Sequence, residues 1–336
     1  MPKRSGAKRL AAALLPILML LPLASCAAEA SAVVYAMDTV SQIKICAESA
    51  GAAGELVSKA EAAIYRFDGI FSAENGDIAR LNAGSVSSLS GYACETAAKA
   101  LYVKELSGGA FSPELGALTS LWDVSGKVGE ISEPPEAEDI EKALSLPGEA
   151  TAADGELKIS GEISLDLGGV AKGAACEYVA GEMKAAGASG GIIDLGGNVG
   201  VFGKKPDGSD VYRVALTSAE EAFAYISLSD AFVSVASSEL RYFTDGEGNR
   251  YHHILDPRTG YPAESEFYAV AVICRDGAYA DALSTAIFIV GWDAALVMRD
   301  RCDKDFDIVA LTKAGEVKYT EDSKVIIGAV TAAPNK

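Results

Sequence analysis

Hydrophobic and polar positions along the chain fall into two periods. From Val33 to Cys46 they alternate, with Ile43 and Ile45 on one face, which predicts a half-buried strand. Leu56, Ala60, Ile64, Phe67 and Phe71 then recur at helical spacing, and a second helix is expected from Glu95 to Leu106. Residues 126–138 are polar and rich in turn formers, with Pro135 suited to the first turn of a helix. Asp154-Gly155 between short β-type runs signals a hairpin feeding a strand around Ile159 to Leu165. From Gly190 onward strand-like runs dominate (190–198, 211–217, 223–228 and 269–275), interrupted by a helix near Tyr279 to Val290. Strands and helices mix without strict βαβ alternation and without an internal repeat, so the expected class is α+β.

The N-terminus follows a different logic. Lys3, Arg4, Lys8 and Arg9 precede an apolar run, Leu10 to Leu23, that is short for a membrane span and contains Pro16 and Pro22. Residues 1–25 therefore read as a secretory signal, closing on Leu23-Ala24-Ser25-Cys26, which resembles the bacterial lipobox. That resemblance implies lipidation of Cys26, a tether over residues 26–32 and a domain over 33–332. The chain would then be lipid-anchored to the cell membrane on its extracytoplasmic, periplasmic side.

With 336 residues, 49% hydrophobic, the chain has ample material for a large core. Its formal charge is −18, and −22 from Cys26 onward because all four charges before it are positive. A surface so acidic repels phosphate backbones, which argues against nucleic acid as a partner. Beyond Cys26 the five cysteines (Cys46, Cys94, Cys176, Cys274, Cys302) are odd in number and lack CxxC spacing. They read as small buried hydrophobes rather than as a zinc site or disulfide framework.

Three segments carry candidate chemistry. The only two histidines, His252 and His253, run into Ile254-Leu255-Asp256-Pro257-Arg258-Thr259-Gly260, a turn signal at a strand end. That placement suits either a general base or a turn with partly exposed imidazoles. Leu165 to Gly173 (Asp166, Gly168, Gly169, Lys172) reads as a strand entering glycines and then a helix, either a phosphate cradle or a close-packed turn. Asp281 and Thr285 stand four apart at the start of an apolar helix, with Ser284 between them. Their oxygens suit a hard cation such as magnesium; the alternative is an N-capping aspartate.

Taken in order, these segments and four others resemble the FAD:protein FMN transferases of the ApbE family, bacterial enzymes that split FAD and attach FMN to a serine or threonine of another protein. The other motifs are Met37-Asp38-Thr39, Phe71-Ser72 through Arg80-Leu81-Asn82, Gly109 to Pro113 with Leu121-Trp122, and Asp194 to Asn198. The resemblance implies mixed and antiparallel sheets with packed helices. It implies that Met37, Ala110, Phe111, Ser112, Asp166, Lys172 and Ile254 surround FAD as substrate. It further implies Mg2+ held by the backbone oxygen of Gly169, by Asp281 and by oxygens at Ser284 and Thr285, with His253 as general base. The implied partner is an acceptor protein of a sodium- or proton-linked membrane redox complex, or another extracytoplasmic flavoprotein. FAD hydrolysis to FMN and AMP, and flavin binding without reaction, are the alternatives. Where many members read Phe-Asp-Pro-Thr, this chain has Phe111-Ser112-Pro113-Glu114, which loses or displaces a carboxylate near the flavin.

Overall fold

The computed structural model describes residues 27–72, 74–219, 221–320 and 325–326; the signal segment, Cys26 and the last residues of the expected domain lie outside them. The alternation from Val33 to Cys46 is divided between two strands, β1 (Ala28–Ala36) and β2 (Thr39–Ala47), paired antiparallel around Met37-Asp38. The buried set switches from even positions (Val34, Ala36) to odd ones (Ile43, Ile45), as a two-residue turn requires. Ala28 already pairs with Ala47, so most of the expected tether is strand; its small alanines gave it little hydropathy signal.

Helix α1 (Ala50–Phe71) follows, capped by the Ser49 hydroxyl, which accepts from the Ala52 amide at 3.2 Å. Its stripe of Leu56, Ala60, Ile64, Phe67 and Phe71 is buried as its spacing predicts. Four helices come next: α2 (Asp77–Asn82), α3 (Tyr92–Leu106), α4 (Gly116–Trp122) and α5 (Ala137–Leu144). Pro135 lies just ahead of α5, beyond its cap Glu136, rather than in its first turn. The hairpin β3 (Gly148–Ala153) and β4 (Glu156–Gly161) turns at Asp154-Gly155 as expected. Leu165, however, lies past the end of β4. It is held by the Asn82 amide, which donates to its carbonyl at 2.9 Å and accepts from its N–H at 2.8 Å.

Helix α6 (Ala171–Ala185) leads into β5 (Gly190–Leu195), β6 (Asn198–Gly203), β7 (Tyr212–Ser218), β8 (Glu221–Leu228) and β9 (Ala231–Ser237). The short pair β10 (Tyr242–Thr244) and β11 (Arg250–His252) precedes β12 (Phe267–Cys274), α7 (Gly277–Val290) and α8 (Trp292–Arg301). The described chain ends with β13 (Phe306–Thr312), β14 (Val317–Tyr319) and β15 (Val325–Ile326).

Eight strands form one sheet in the order β1-β2-β5-β6-β9-β12-β13-β14, antiparallel at every pairing. Alternate residues of each strand then serve two cores. Val270, Val272 and Cys274 of β12 join the core shared with α1, α6 and α7, while Ala269 and Ala271 face a second core under β7 and β8. A third cluster of Leu118, Trp122, Ile140, Phe243 and Leu255 fastens the histidine loop, with Trp122 Nε1 donating to the Gly260 carbonyl at 2.8 Å. Cys46, Cys94, Cys176 and Cys274 are buried free thiols, as expected of small hydrophobes; Cys302 is partly exposed. No described helix is long and apolar enough to cross a membrane.

Candidate functional site

The site is built where the N-terminal half of α7 crosses the start of α6. Both helices carry a glycine at the crossing: a Cβ on Gly173 would stand 2.0 Å from the Gly277 carbonyl oxygen, and one on Gly277 would stand 2.3 Å from that of Gly173. Only a backbone-to-backbone approach fits. Asp281 consequently reaches the start of α6, where its Oδ2 accepts from the Gly173 amide at 3.0 Å. Its other oxygen, Oδ1, accepts from the Ser234 hydroxyl on β9 at 2.9 Å. Asp281 is thus not the cap of its own helix; Asp276 is, accepting from Tyr279 N at 3.0 Å.

The donor set around Asp281 suits a cation. The carboxylate is 5% exposed, its protein partners are neutral, and no described lysine, arginine or histidine pairs with it. A buried carboxylate without counter-charge is costly, and a bound cation is one way to offset it. Thr285, one turn along α7, faces Gly169: a Cβ built there would lie 3.9 Å from Thr285 Oγ1. Among the described residues no three His, Cys, Asp or Glu side chains are placed to hold a metal ion together. A cation here would rest on one carboxylate, one hydroxyl and backbone carbonyl oxygen, a set that fits magnesium. The Ser284 side chain is hydrogen-bonded next to that set. Its hydroxyl donates to the Asp281 carbonyl at 2.9 Å and lies 3.3 Å from Ser234 Oγ.

Phe111, Asp166 and Lys172 adjoin the Gly169 turn. Phe111 is 5% exposed, with its ring edge 3.0 Å from a Cβ built on Gly169, and Ala110 is buried beside it in the same core. Asp166 Oδ1 accepts from the Gly168 amide at 2.7 Å, fixing the glycine turn, and Lys172 Nζ donates to the Gly168 carbonyl at 3.2 Å. Ser112 lines a cavity of about 230 Å³ with Lys104, Glu114, Leu144, Ser164 and Pro257. Glu114, the displaced acid of the Phe111 segment, is committed elsewhere: it pairs with Lys104 and accepts from Ala150 N at 2.8 Å. Met37 sits in the left-handed turn, with φ 53° at Met37 and 55° at Asp38. The turn is pinned from both sides, by Met37 N donating to Asp68 at 3.1 Å and by Arg241 donating to the Asp38 carbonyl at 3.2 Å.

The two histidines separate by their hydrogen bonds. His252 Nε2 faces the Ala263 carbonyl at 3.1 Å and so carries the proton, while its Nδ1 accepts from Ile254 N at 3.3 Å. Both nitrogens are spent, and His252 braces the buried Ile254. His253 Nδ1 faces the Arg241 carbonyl at 3.3 Å, which places its proton there and leaves Nε2 as an acceptor. Protein atoms crowd the His253 ring although part of its surface stays open. Burial, with Arg241, His252 and Lys172 nearby, pushes its pKa down to about 3. Burial likewise lowers His252 to about 4.

These shifts make stability depend on pH with a definite sign. Both groups titrate lower folded than unfolded, so their contribution is complete above about pH 6.5 and is lost as pH falls towards 4 and 3. Each should cost about 2 kcal/mol by pH 5. Urea unfolding of His252→Gln at pH 5 and 7.5 is expected to show a smaller pH difference than the parent by about that amount; equal differences would exclude it.

Ser234 was not among the candidates read from the sequence; its one signal is a serine between valines in a mostly apolar strand. The comparisons with known proteins agree with this architecture. The model of the ApbE family matches residues 37–309. A Treponema pallidum protein described as FAD:protein FMN transferase is 29% identical over 220 residues, 60% of each chain. One from Klebsiella pneumoniae with the same description is 31% identical over 217 residues, 62% of this chain and 65% of its own. The chain thus spans about 60 to 65% of the length of these relatives. Among solved structures, the ApbE protein of Thermotoga maritima superposes with a TM-score of 0.76 at 25% identity, covering 88% of this chain and 97% of that one. Pseudomonas stutzeri flavinyl transferase ApbE, in its apo form, gives 0.73 at 26% identity, with 88% and 95% covered. With most of its length, the α6–α7 crossing and the histidine loop inside the matched region, the chain belongs to the ApbE family.

Proposed function

We propose that the protein is an FAD:protein FMN transferase: an acceptor serine or threonine hydroxyl attacks the FMN phosphorus of FAD, the bond to the bridging oxygen breaks, and AMP leaves. The observation that carries this reading is the buried Asp281 carboxylate, hydrogen-bonded but without a counter-charge among the described residues, facing the start of α6, with Thr285 and Gly169 alongside. Mg2+ held there would neutralise the pyrophosphate and the charge that gathers during transfer. Lys172 and the amides at the start of α6 add positive potential on the same side. His253 is neutral at physiological pH and offers Nε2 to the acceptor hydroxyl, with Arg241 holding the tautomer. Met37, Ala110 to Ser112, Asp166 and Ile254 would enclose the flavin nucleotide. Lipidation of Cys26 would hold the enzyme outside the cytoplasmic membrane, beside acceptors in membrane redox complexes.

Mass spectrometry of an acceptor protein incubated with enzyme, FAD and Mg2+ tests this directly, by the added mass of FMN. AMP released at the same rate without acceptor would instead identify an FAD pyrophosphatase. The histidine gives a second check. On the acid side, kcat/KM is expected to stay flat between pH 5 and 8, because the free enzyme's imidazole titrates near 3. An acid limb near pH 6.5 that disappears in His253→Gln would contradict the lowered pKa while leaving His253 as the base.

A further inference from the structure

Asn198 opens β6 immediately after the Gly196-Gly197 turn, where φ values of 63° and 91° call for glycine. It is 3% exposed. Among the described residues, two buried side-chain atoms have no hydrogen-bond partner: Ser41 Oγ and Asn198 Oδ1. A buried amide oxygen left unpaired costs about 1–3 kcal/mol, so its persistence in the middle of a sheet asks where a donor would come from.

The register locates that oxygen's neighbourhood. Asn198 pairs with Ser234 across β6 and β9, and opposed side chains on adjacent antiparallel strands stand about 5 Å apart. Asn198 shares its face with Gly200, where a Cβ would lie 3.5 Å from Cys176 Cβ of α6, so this is the helix side of the sheet. Ser234 on that side holds Asp281. The nearby protein protons are already assigned. The Ser234 hydroxyl donates to Asp281 Oδ1, the Ser284 hydroxyl to the Asp281 carbonyl, and the Gly173 amide to Asp281 Oδ2. The Cys176 thiol is turned to the backbone oxygens of Asn198, at 3.2 Å, and Ile193, at 3.8 Å. None is left for Asn198 Oδ1.

We propose that Asn198 is a positioning residue of the cation site, its Oδ1 accepting a hydrogen bond from a water carried by the cation that Asp281 holds. The inference rests on the transferase reading for the existence of that cation. Within it, Asn198 and Ser234 form a polar layer beneath the ligands, one orienting a water and the other the carboxylate.

Mn2+ binding to the purified protein, followed by electron paramagnetic resonance, tests this with Asn198→Leu, which keeps the shape and removes the acceptor, and Asn198→Asp, which keeps the acceptor. Asn198→Leu is expected to weaken Mn2+ binding about 10-fold or more, with urea unfolding in EDTA unchanged or shifted to higher urea. Asn198→Asp is expected to bind at least as well as the parent. Parental affinity in Asn198→Leu would overturn the proposal while leaving the transferase reading standing. Should Asn198→Leu fail to fold, loss of Mn2+ binding in a folded Asn198→Asp overturns it and retention supports it. No Mn2+ uptake by the parent, with or without FAD, would remove the transferase reading and this inference together.

Discussion

Asp281→Asn is expected to lower FMN transfer by at least about 10³-fold while the protein stays folded. A side-chain amide is nearly the same shape as the carboxylate. It can still accept from the Gly173 amide, and the Ser234 hydroxyl can rotate to accept from its NH2. What it loses is the negative charge, on which the proposed cation binding would depend, and about 4 kcal/mol of transition-state stabilisation would follow from that loss. Removing the proposed base in His253→Ala should cost less, about 10²–10³-fold, because proton transfer is the smaller share of phosphoryl-transfer catalysis. The check is turnover of both variants under saturating Mg2+, with thermal unfolding beside it. Equal losses, or a larger one for His253→Ala, would reverse this division between charge and proton transfer.

The division also shows what could be read from sequence. The pairing of Asp281 with Thr285 needed only helical spacing, and the Asp166 to Lys172 turn needed only its glycines. That these two segments meet was not legible from spacing, because the contact is a backbone approach between glycines 104 residues apart and leaves no periodic trace. The histidine pair could be seen, and the family resemblance singled out His253, but residue type and spacing alone could not rank the two. Their tautomers follow from two carbonyls, those of Ala263 and Arg241, whose directions are set by tertiary structure. Most helices and strands followed their periods. The misreading between Val33 and Cys46 arose because the Met37-Asp38 turn contains no glycine, asparagine or proline, although the parity switch of buried positions marks it. The left-handed pair is tolerated because Asp68 and Arg241 bind its backbone, and the Arg241 contact links the turn to the histidine loop.

The crossing itself supplies the largest expected effect on stability. In Gly173→Ala the new methyl would stand 2.0 Å from the Gly277 oxygen and 2.7 Å from Asp281 Cβ. The first is backbone and the second is held by two hydrogen bonds, so neither can rotate aside. Relief requires α6 to move off α7, which undoes packing in the main core and draws the Gly173 amide away from Asp281. We expect destabilisation of about 3 kcal/mol, at the upper end for overpacking, together with loss of cation binding. Gly54→Ala is the counterpart. It lies within α1 with no atom within 4 Å of the added Cβ, and should stabilise by about 0.5–1 kcal/mol through helix propensity alone. Urea unfolding of the two variants should therefore move in opposite directions. If Gly173→Ala unfolds with the parent, the helices can separate at little cost, and the geometry that joins Asp281 to α6 is not held by the glycine contact.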